Sequence, residues 1–326
     1  MKVEFTFLSR DGRTPVHAVR WVPESGKCRA ILQITHGMTE FIERYEPFAQ
    51  FLAEHDILVV GHDHIGHGQS VGSREDWGYF AKDKPGKILV QDMHRLRLIV
   101  QKQYPGLPYF MLGHSMGSFL LRRYLSSRGK GLSGAIIMGT GYTDPLMSQT
   151  GITLANLLAK AYGWHHRSNL LTRMALGSNK RFDMTGEHPE NSWLTKDAEI
   201  VRWYYKQPAC TFTFTLNGYL GLFDTVRYCC LQENADRIPK NLPMLLVSGA
   251  DDGVGGYGKG VRKVMEMYQK AGIRDLKMVL YENDRHEILN ELDRGRVYAD
   301  LLDWMKARMR ETAEQIAGWK AKKTYG

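Results

Sequence analysis

A mostly parallel β-sheet with helices on both faces is the fold class predicted here, and three features of the 326-residue sequence predict it. Short apolar runs rich in β-branched residues recur at 30–35, 57–61, 134–139 and 243–248, each the length of a strand covered on both faces. Stretches of helical period lie between them, chiefly 45–55 and 86–103, so strand and helix alternate as in α/β domains. The apolar run Tyr109-Phe110-Met111-Leu112 ends abruptly in Gly113-His114-Ser115-Met116-Gly117, and a helix-like run from Phe119 to Leu125 follows at once. A strand, a sharp turn and a helix are the setting in which a serine is pushed into an open site.

Val3, Phe5 and Phe7 alternate with polar residues and stop at Asp11-Gly12, the first strand of a hairpin whose partner is 16–22. The strand at 30–35 stops at His36-Gly37-Met38, and a helix with Phe48, Phe51 and Leu52 on one side leads to the strand at 57–61. A polar loop, Asp63-His64-Ile65-Gly66-His67-Gly68-Gln69-Ser70, precedes the long helix that carries Ile88, Val90, Met93, Leu96, Ile99 and Val100. The strand at 134–139 follows the helix after Ser115. Between 141 and 241 the rhythm fails: helical pieces at 152–162, 198–206 and 216–229 stand among polar linkers dense in aromatics, with no convincing buried strand. The sheet resumes at 243–248 and 277–281. The expected organisation is a core of residues 1–140 and 242–326, with 141–241 inserted as a helical cap over the site.

An apolar share of 43% suits a sizeable core, and no apolar run approaches the roughly 18–20 residues of a membrane span. The first residues, Met1-Lys2-Val3-Glu4-Phe5-Thr6, lack the regions of a signal peptide, so the expected location is the cytoplasm. Cys28, Cys210, Cys229 and Cys230 are too few and too irregularly spaced for a disulfide framework or a zinc site, and read as buried or free thiols. The net charge of +9 is spread along the chain; its one notable run, Lys306, Arg308, Arg310, Lys320, Lys322 and Lys323, reads as a solvated helix face. No nucleic-acid motif accompanies it. The sequence assigns no oligomeric state.

A serine hydroxyl needs a base to take its proton, and the base needs an acid to fix its tautomer. On a sheet with such an elbow the order is serine, acid, histidine, each on a loop after a strand. The loop after 243–248 holds Asp251 and Asp252; the loop after 277–281 holds His286. Asp252 is favoured over Asp251 by the G-x-x-D spacing from Gly249 usual where serine, acid and histidine follow in this order. His36, His62, His64, His67 and His114 precede or adjoin Ser115 and fall on loops with other expected jobs. Backbone N–H groups of Met38, after the strand at 30–35, and of Met116, after the serine, are the expected oxyanion donors.

With these residues in view, the chain resembles the monoacylglycerol lipase and lysophospholipase group of α/β-hydrolases, a serine aminopeptidase-like group. The likeness lies in His36-Gly37-Met38-Thr39-Glu40 with Arg44-Tyr45, in the Asp63–Ser70 loop, in Tyr104-Pro105-Gly106-Leu107-Pro108 leading to the Ser115 elbow, and in the Asp252 and His286 loops. Thr39 and Ser118 stand where the group commonly has glycine. The resemblance implies hydrolysis of a carboxylic ester without a cofactor, under a cap that admits a lipid-like acyl chain. A short-chain or aryl carboxylesterase with the same three residues is the alternative.

Three competing readings are weaker. Gly253-Val254-Gly255-Gly256-Tyr257-Gly258 matches a dinucleotide fingerprint, but Asp251 and Asp252 would repel a pyrophosphate, so an NAD-linked oxidoreductase is a remote alternative. His62, His64 and His67 lack identifiable further ligands for a metal and read as loop-structuring residues. The run Ile152–Leu158 reads as core of the insertion, with a membrane-touching or acyl-binding face as the sharper alternative.

Overall fold

The computed structural model describes residues 1–177 and 181–324, with side chains through residue 309. The strands are β1 (Lys2–Leu8), β2 (Pro15–Trp21), β3 (Ala30–Thr35), β4 (Ile57–His62), β5 (Tyr109–His114), β6 (Gly134–Met138), β7 (Met244–Gly249) and β8 (Leu276–Tyr281). They form one sheet in the order β1-β2-β4-β3-β5-β6-β7-β8. The β1–β2 and β2–β4 pairs are antiparallel, and every pair from β4 to β8 is parallel.

Side chains on the central strands alternate between two cores. Tyr109, Met111, Ala135 and Ile137 pack with α2 (Pro85–Gln103), α3 (Met116–Arg128) and α9 (Lys259–Lys270). Phe110, Leu112, Ile136 and Met138 pack with α1 (Glu46–Ala53) and α10 (Arg294–Thr324) on the other face. Gln33, the polar residue in the β3 run, is fully buried, and it donates to the Met93 carbonyl at 3.0 Å and accepts from the Tyr109 hydroxyl at 2.6 Å. From β3 the chain crosses through α1 to β4, then returns through α2 past β3 to β5. The loops after β3 and β5 therefore leave a crevice at the carboxyl ends of adjacent strands, where open α/β sheets place their sites.

Between β6 and β7 lie α4 (Pro145–Tyr162), α5 (Asn169–Leu176), α6 (Ala198–Lys206), α7 (Leu216–Cys229) and the short α8 (Gln232–Ala235). Helix α4 starts seven residues before the expected Ile152, because the Asp144 carboxylate caps the Leu146 N–H at 2.8 Å and Pro145 suits the first helical position. Helix α5, capped by Ser168, was not expected from the pattern. The α7 helix packs on α4 and also on α2 and α3. Among the described residues the segment holds only isolated bridges, Arg167 with Thr215 and Asp183 with Ser192.

Part of the basic run departs from a solvated face. Arg308 is buried, with its guanidinium on both Asp275 oxygens at 2.8–3.1 Å and over Trp304. The side chains of Arg310, Lys320, Lys322 and Lys323 lie outside those described. The four cysteines are free thiols, three of them buried. No helix among the described residues is long and apolar enough to cross a membrane.

Candidate active site

Ser115 sits between β5 and α3 with φ 52° and ψ −120°, a conformation that side-chain-bearing residues rarely adopt. Its neighbours explain why the turn needs glycine. A β-carbon at Gly113 would come within 2.4 Å of the Gly117 carbonyl oxygen and force α3 away from β5, and one at Gly117 would come within 2.0 Å of the Thr35 oxygen and force the elbow off the end of β3. The Ser115 N–H donates to Met138 O at 3.0 Å, and the Ser118 N–H and hydroxyl donate to Ser115 O at 2.8 and 2.6 Å. Ser118, in the place of a glycine, thereby helps to pin the turn.

The acid and base loops follow β7 and β8, which end side by side with Gly249 opposite Tyr281. Asp252 Oδ1 lies 3.0 Å from His286 Nδ1; the same carboxylate accepts from Ser248 Oγ at 3.0 Å and from the Val254 N–H at 2.8 Å. Burial pushes the Asp252 carboxyl up, but the His286 ring and these donors outweigh it and hold it below the usual carboxylate range. Asp251 turns away and meets Arg181 at 2.8 Å. With Nδ1 committed to the carboxylate, Nε2 is the nitrogen left for proton transfer. Trp193, from the segment between β6 and β7, stacks on the His286 ring at 5.1 Å and 25°, a contact that its place in an irregular linker did not advertise.

Ser115 and His286 open onto one cavity of about 630 Å³. No hydrogen bond joins the two among the described residues; such bonds commonly tighten only when substrate is bound. Met38 and Met116 line the same cavity, and neither N–H has a protein acceptor among the described residues. A β-carbon at Gly37 would stand 3.1 Å from Ser115 Cβ, so the Met38 loop runs directly against the serine. From the segment between β6 and β7 come Thr172, Leu176, Trp193, Tyr204, Phe212 and Leu222. Residues 152–158 do not line the cavity: Ala155 is buried and Leu157 faces outward.

Beneath the site is a charged cluster that the motifs only hinted at. Arg44 is bidentate to Glu287 at 2.8 and 2.7 Å and reaches Glu40 at 2.8 Å, all three side chains being almost fully buried. Glu40 also accepts from the Tyr45 hydroxyl at 2.9 Å and lies 3.2 Å from His114 Nδ1, while His114 Nε2 lies 3.2 Å from the His286 carbonyl. Burial raises both carboxyls, but His114 and Arg44 together hold Glu40, and Arg44 holds Glu287, below the ordinary range. The only sequence signals were the Glu40 to Arg44 spacing of four and the position of Glu287 next to His286.

The glycine fingerprint is spent on turns. Gly256 N–H donates to Gly253 O at 3.1 Å and Gly260 N–H to Gly255 O at 2.8 Å, and Asp252 is committed to His286. Among the described residues no group of three His, Cys, Asp or Glu side chains could hold a metal ion, and the His64 ring meets those of His62 and His67 edge to face, at 87° and 80°.

The family described as serine aminopeptidase, S33 matches residues 26–293. The chain belongs to this family. Among curated relatives, the monoglyceride lipase of Rattus norvegicus is 29% identical over 295 residues, covering 89% of this chain and 86% of its own. The monoacylglycerol lipase of Mycolicibacterium smegmatis is 24% identical over 306 residues, 94% of this chain and 98% of its own. Among solved structures, a highly thermostable carboxyl esterase from Bacillus coagulans in complex with glycerol superposes with a TM-score of 0.86 at 30% identity, over 94% of this chain and 99% of that one. A monoglyceride lipase from Saccharomyces cerevisiae, in complex with a substrate analog, shares the α/β-hydrolase fold with a TM-score of 0.72 at 19% identity, over 94% of each chain.

Proposed function

We propose that the chain is a serine carboxylester hydrolase of the monoacylglycerol lipase type, cleaving a lipid-like ester such as a monoacylglycerol or lysophospholipid. The observation that carries this reading is Ser115, strained at the tip of its elbow, opening onto the same cavity as a His286 already bonded to Asp252. His286 Nε2 takes the hydroxyl proton as Ser115 Oγ bonds to the acyl carbon. Asp252 holds the ring and stabilises the imidazolium. The Met38 and Met116 N–H groups receive the oxyanion, each worth about 2.7–4 kcal/mol of transition-state stabilisation in comparable sites. His286 then returns the proton to the leaving alcohol, and a water repeats the cycle on the acyl-enzyme. Residues 141–241 act as the cap, and a cavity of about 630 Å³ suits an acyl chain of moderate length.

Likeness to a carboxyl esterase at 30% identity favours a second reading, a short-chain or aryl esterase using the same residues. A panel of monoacylglycerols, lysophospholipids and p-nitrophenyl esters of increasing length separates the two: rising kcat/KM with acyl length supports the lipid reading, and a maximum at two to four carbons overturns it. Ser115→Ala is expected to lose at least about 10⁴-fold in kcat and all labelling by a fluorophosphonate. Retained activity or labelling removes Ser115 as nucleophile.

A further inference from the structure

We propose that Tyr204, on the inserted helix α6, is a positioning residue for the oxyanion hole. Its hydroxyl clamps Thr39 and thereby keeps the adjoining Met38 N–H aimed at the cavity, an inference that rests on the role proposed for Met38.

Thr39 has φ 51°, inside the left-handed region, and it is the only β-branched residue among the described ones to do so. A branched side chain is poorly tolerated there, so the conformation persists only where the surroundings over-determine it. Those surroundings are narrow. Tyr204 Oη donates to the Thr39 carbonyl at 3.1 Å and lies 3.0 Å from Thr39 Oγ1. A phenol has one proton, and it goes to the carbonyl, so the threonine hydroxyl donates to the phenol oxygen. One group thus holds both the backbone and the side chain of Thr39, and no other hydrogen bond reaches this residue among the described ones.

The clamp is itself held rigidly. The Tyr204 ring lies over the Arg44 guanidinium at 4.8 Å, and Arg44 is fixed by Glu287 and Glu40. The far side of the loop closes on the core alone, through the Glu40 carboxylate on the Gly37 N–H. The core therefore sets one end of the Gly37–Glu40 turn, and the insertion sets the strained middle. If α6 leaves, Thr39 relaxes toward negative φ and the Met38 N–H turns away. Docking of the insertion and assembly of the oxyanion hole are then one event, so hydrolysis waits on a seated α6.

Tyr204→Phe keeps the ring on Arg44 and removes the hydroxyl. On p-nitrophenyl butyrate it is expected to lower kcat about tenfold, a fraction of the roughly hundred- to thousandfold cost of deleting a donor, with KM within about twofold. In a Thr39→Gly background, where positive φ carries no penalty, the same substitution is expected to change kcat by less than about twofold. Amide exchange across residues 36–42 is read in parallel: Tyr204→Phe should speed it about fivefold or more with Thr39 present and leave it unchanged in the Thr39→Gly background. An equal kcat loss in both backgrounds, a loss in KM alone, or exchange indifferent to Tyr204 overturns the clamp. A wild-type protein that neither cleaves the ester nor takes up a fluorophosphonate at Ser115 overturns the esterase reading instead, and the exchange result still decides the clamp.

Discussion

Two buried polar clusters meet at the His36–Glu40 loop, one built on charge and the other on its absence. Glu40, Arg44, Glu287 and His114 are packed so that each carboxylate faces a cation within 3.2 Å. Beside them the rings of His36, His62, His64 and His67 touch one another, with centroids 4.3 Å apart for His36–His64 and 4.9 Å for His62–His64. Both ring nitrogens of His62 and His64, and Nε2 of His67, have no partner among the described residues. His36 accepts the His64 N–H on Nε2 at 2.9 Å and donates from Nδ1 to the Gly37 carbonyl at 2.8 Å, which requires a neutral ring. Burial drives His62 and His67 down to about 3 and holds His64 well below the usual imidazole range. Asp63, next to His62 and His64 in the chain, is spent on His17 at 2.9 Å and on two backbone N–H groups. A buried charge survives where counter-charges surround it; where none is free, an imidazole is kept as an apolar ring.

The severest challenge to this contrast is Arg44→Met, which strips buried Glu287 of its cation and leaves buried Glu40 with His114 alone, and it should cost about 3–5 kcal/mol in urea unfolding. A loss under about 1 kcal/mol would show that the charged cluster is not a mutual dependence. Acid titration comes next. The unfolded imidazoles take up protons near 6.5, whereas native His62 and His67 resist until about 3. Their contribution is therefore full above pH 6.5 and is lost as pH falls toward 3. Each such group contributes about 1.4 kcal/mol per pH unit below about pH 6. Glu40 and Glu287, lowered in the fold, lose their share only below the ordinary carboxylate range near 4.5. His114 runs the other way: its pKa is raised because Glu40 outweighs burial, so its stabilisation is present below 6.5 and fades as pH rises through the folded value. Stability that stays flat between pH 6.5 and 4.5 breaks the contrast. The mildest probe is His62→Leu, expected within about 1 kcal/mol of wild type at about pH 7.5 and with an acid slope reduced by close to one proton. A large loss at that pH would mean that the ring nitrogens of His62 are bound after all.

Much of the sheet was legible because its signals are local. The β5 and β6 runs alternate within a few residues, and the glycines at 113 and 117 answer a steric demand made by the turn that contains them. Candidate residues Ser115, Asp252 and His286 could be named for the same reason, each lying within a few residues of a strand end. The start of α4 at Pro145 was missed through an unread Asp-Pro cap, and Arg308 was read as solvated although its partner Asp275 lies 33 residues away.

By itself the sequence determined the α/β plan, the elbow and the order of the loops that surround it. Tertiary structure alone decided which charges neutralise one another and what holds the strained loop. Arg44 meets Glu287 across 243 residues and Thr39 meets Tyr204 across 165. Short-range patterning carries no record of such pairs, because burial and counter-charge are properties of the packed interior and not of any stretch of chain.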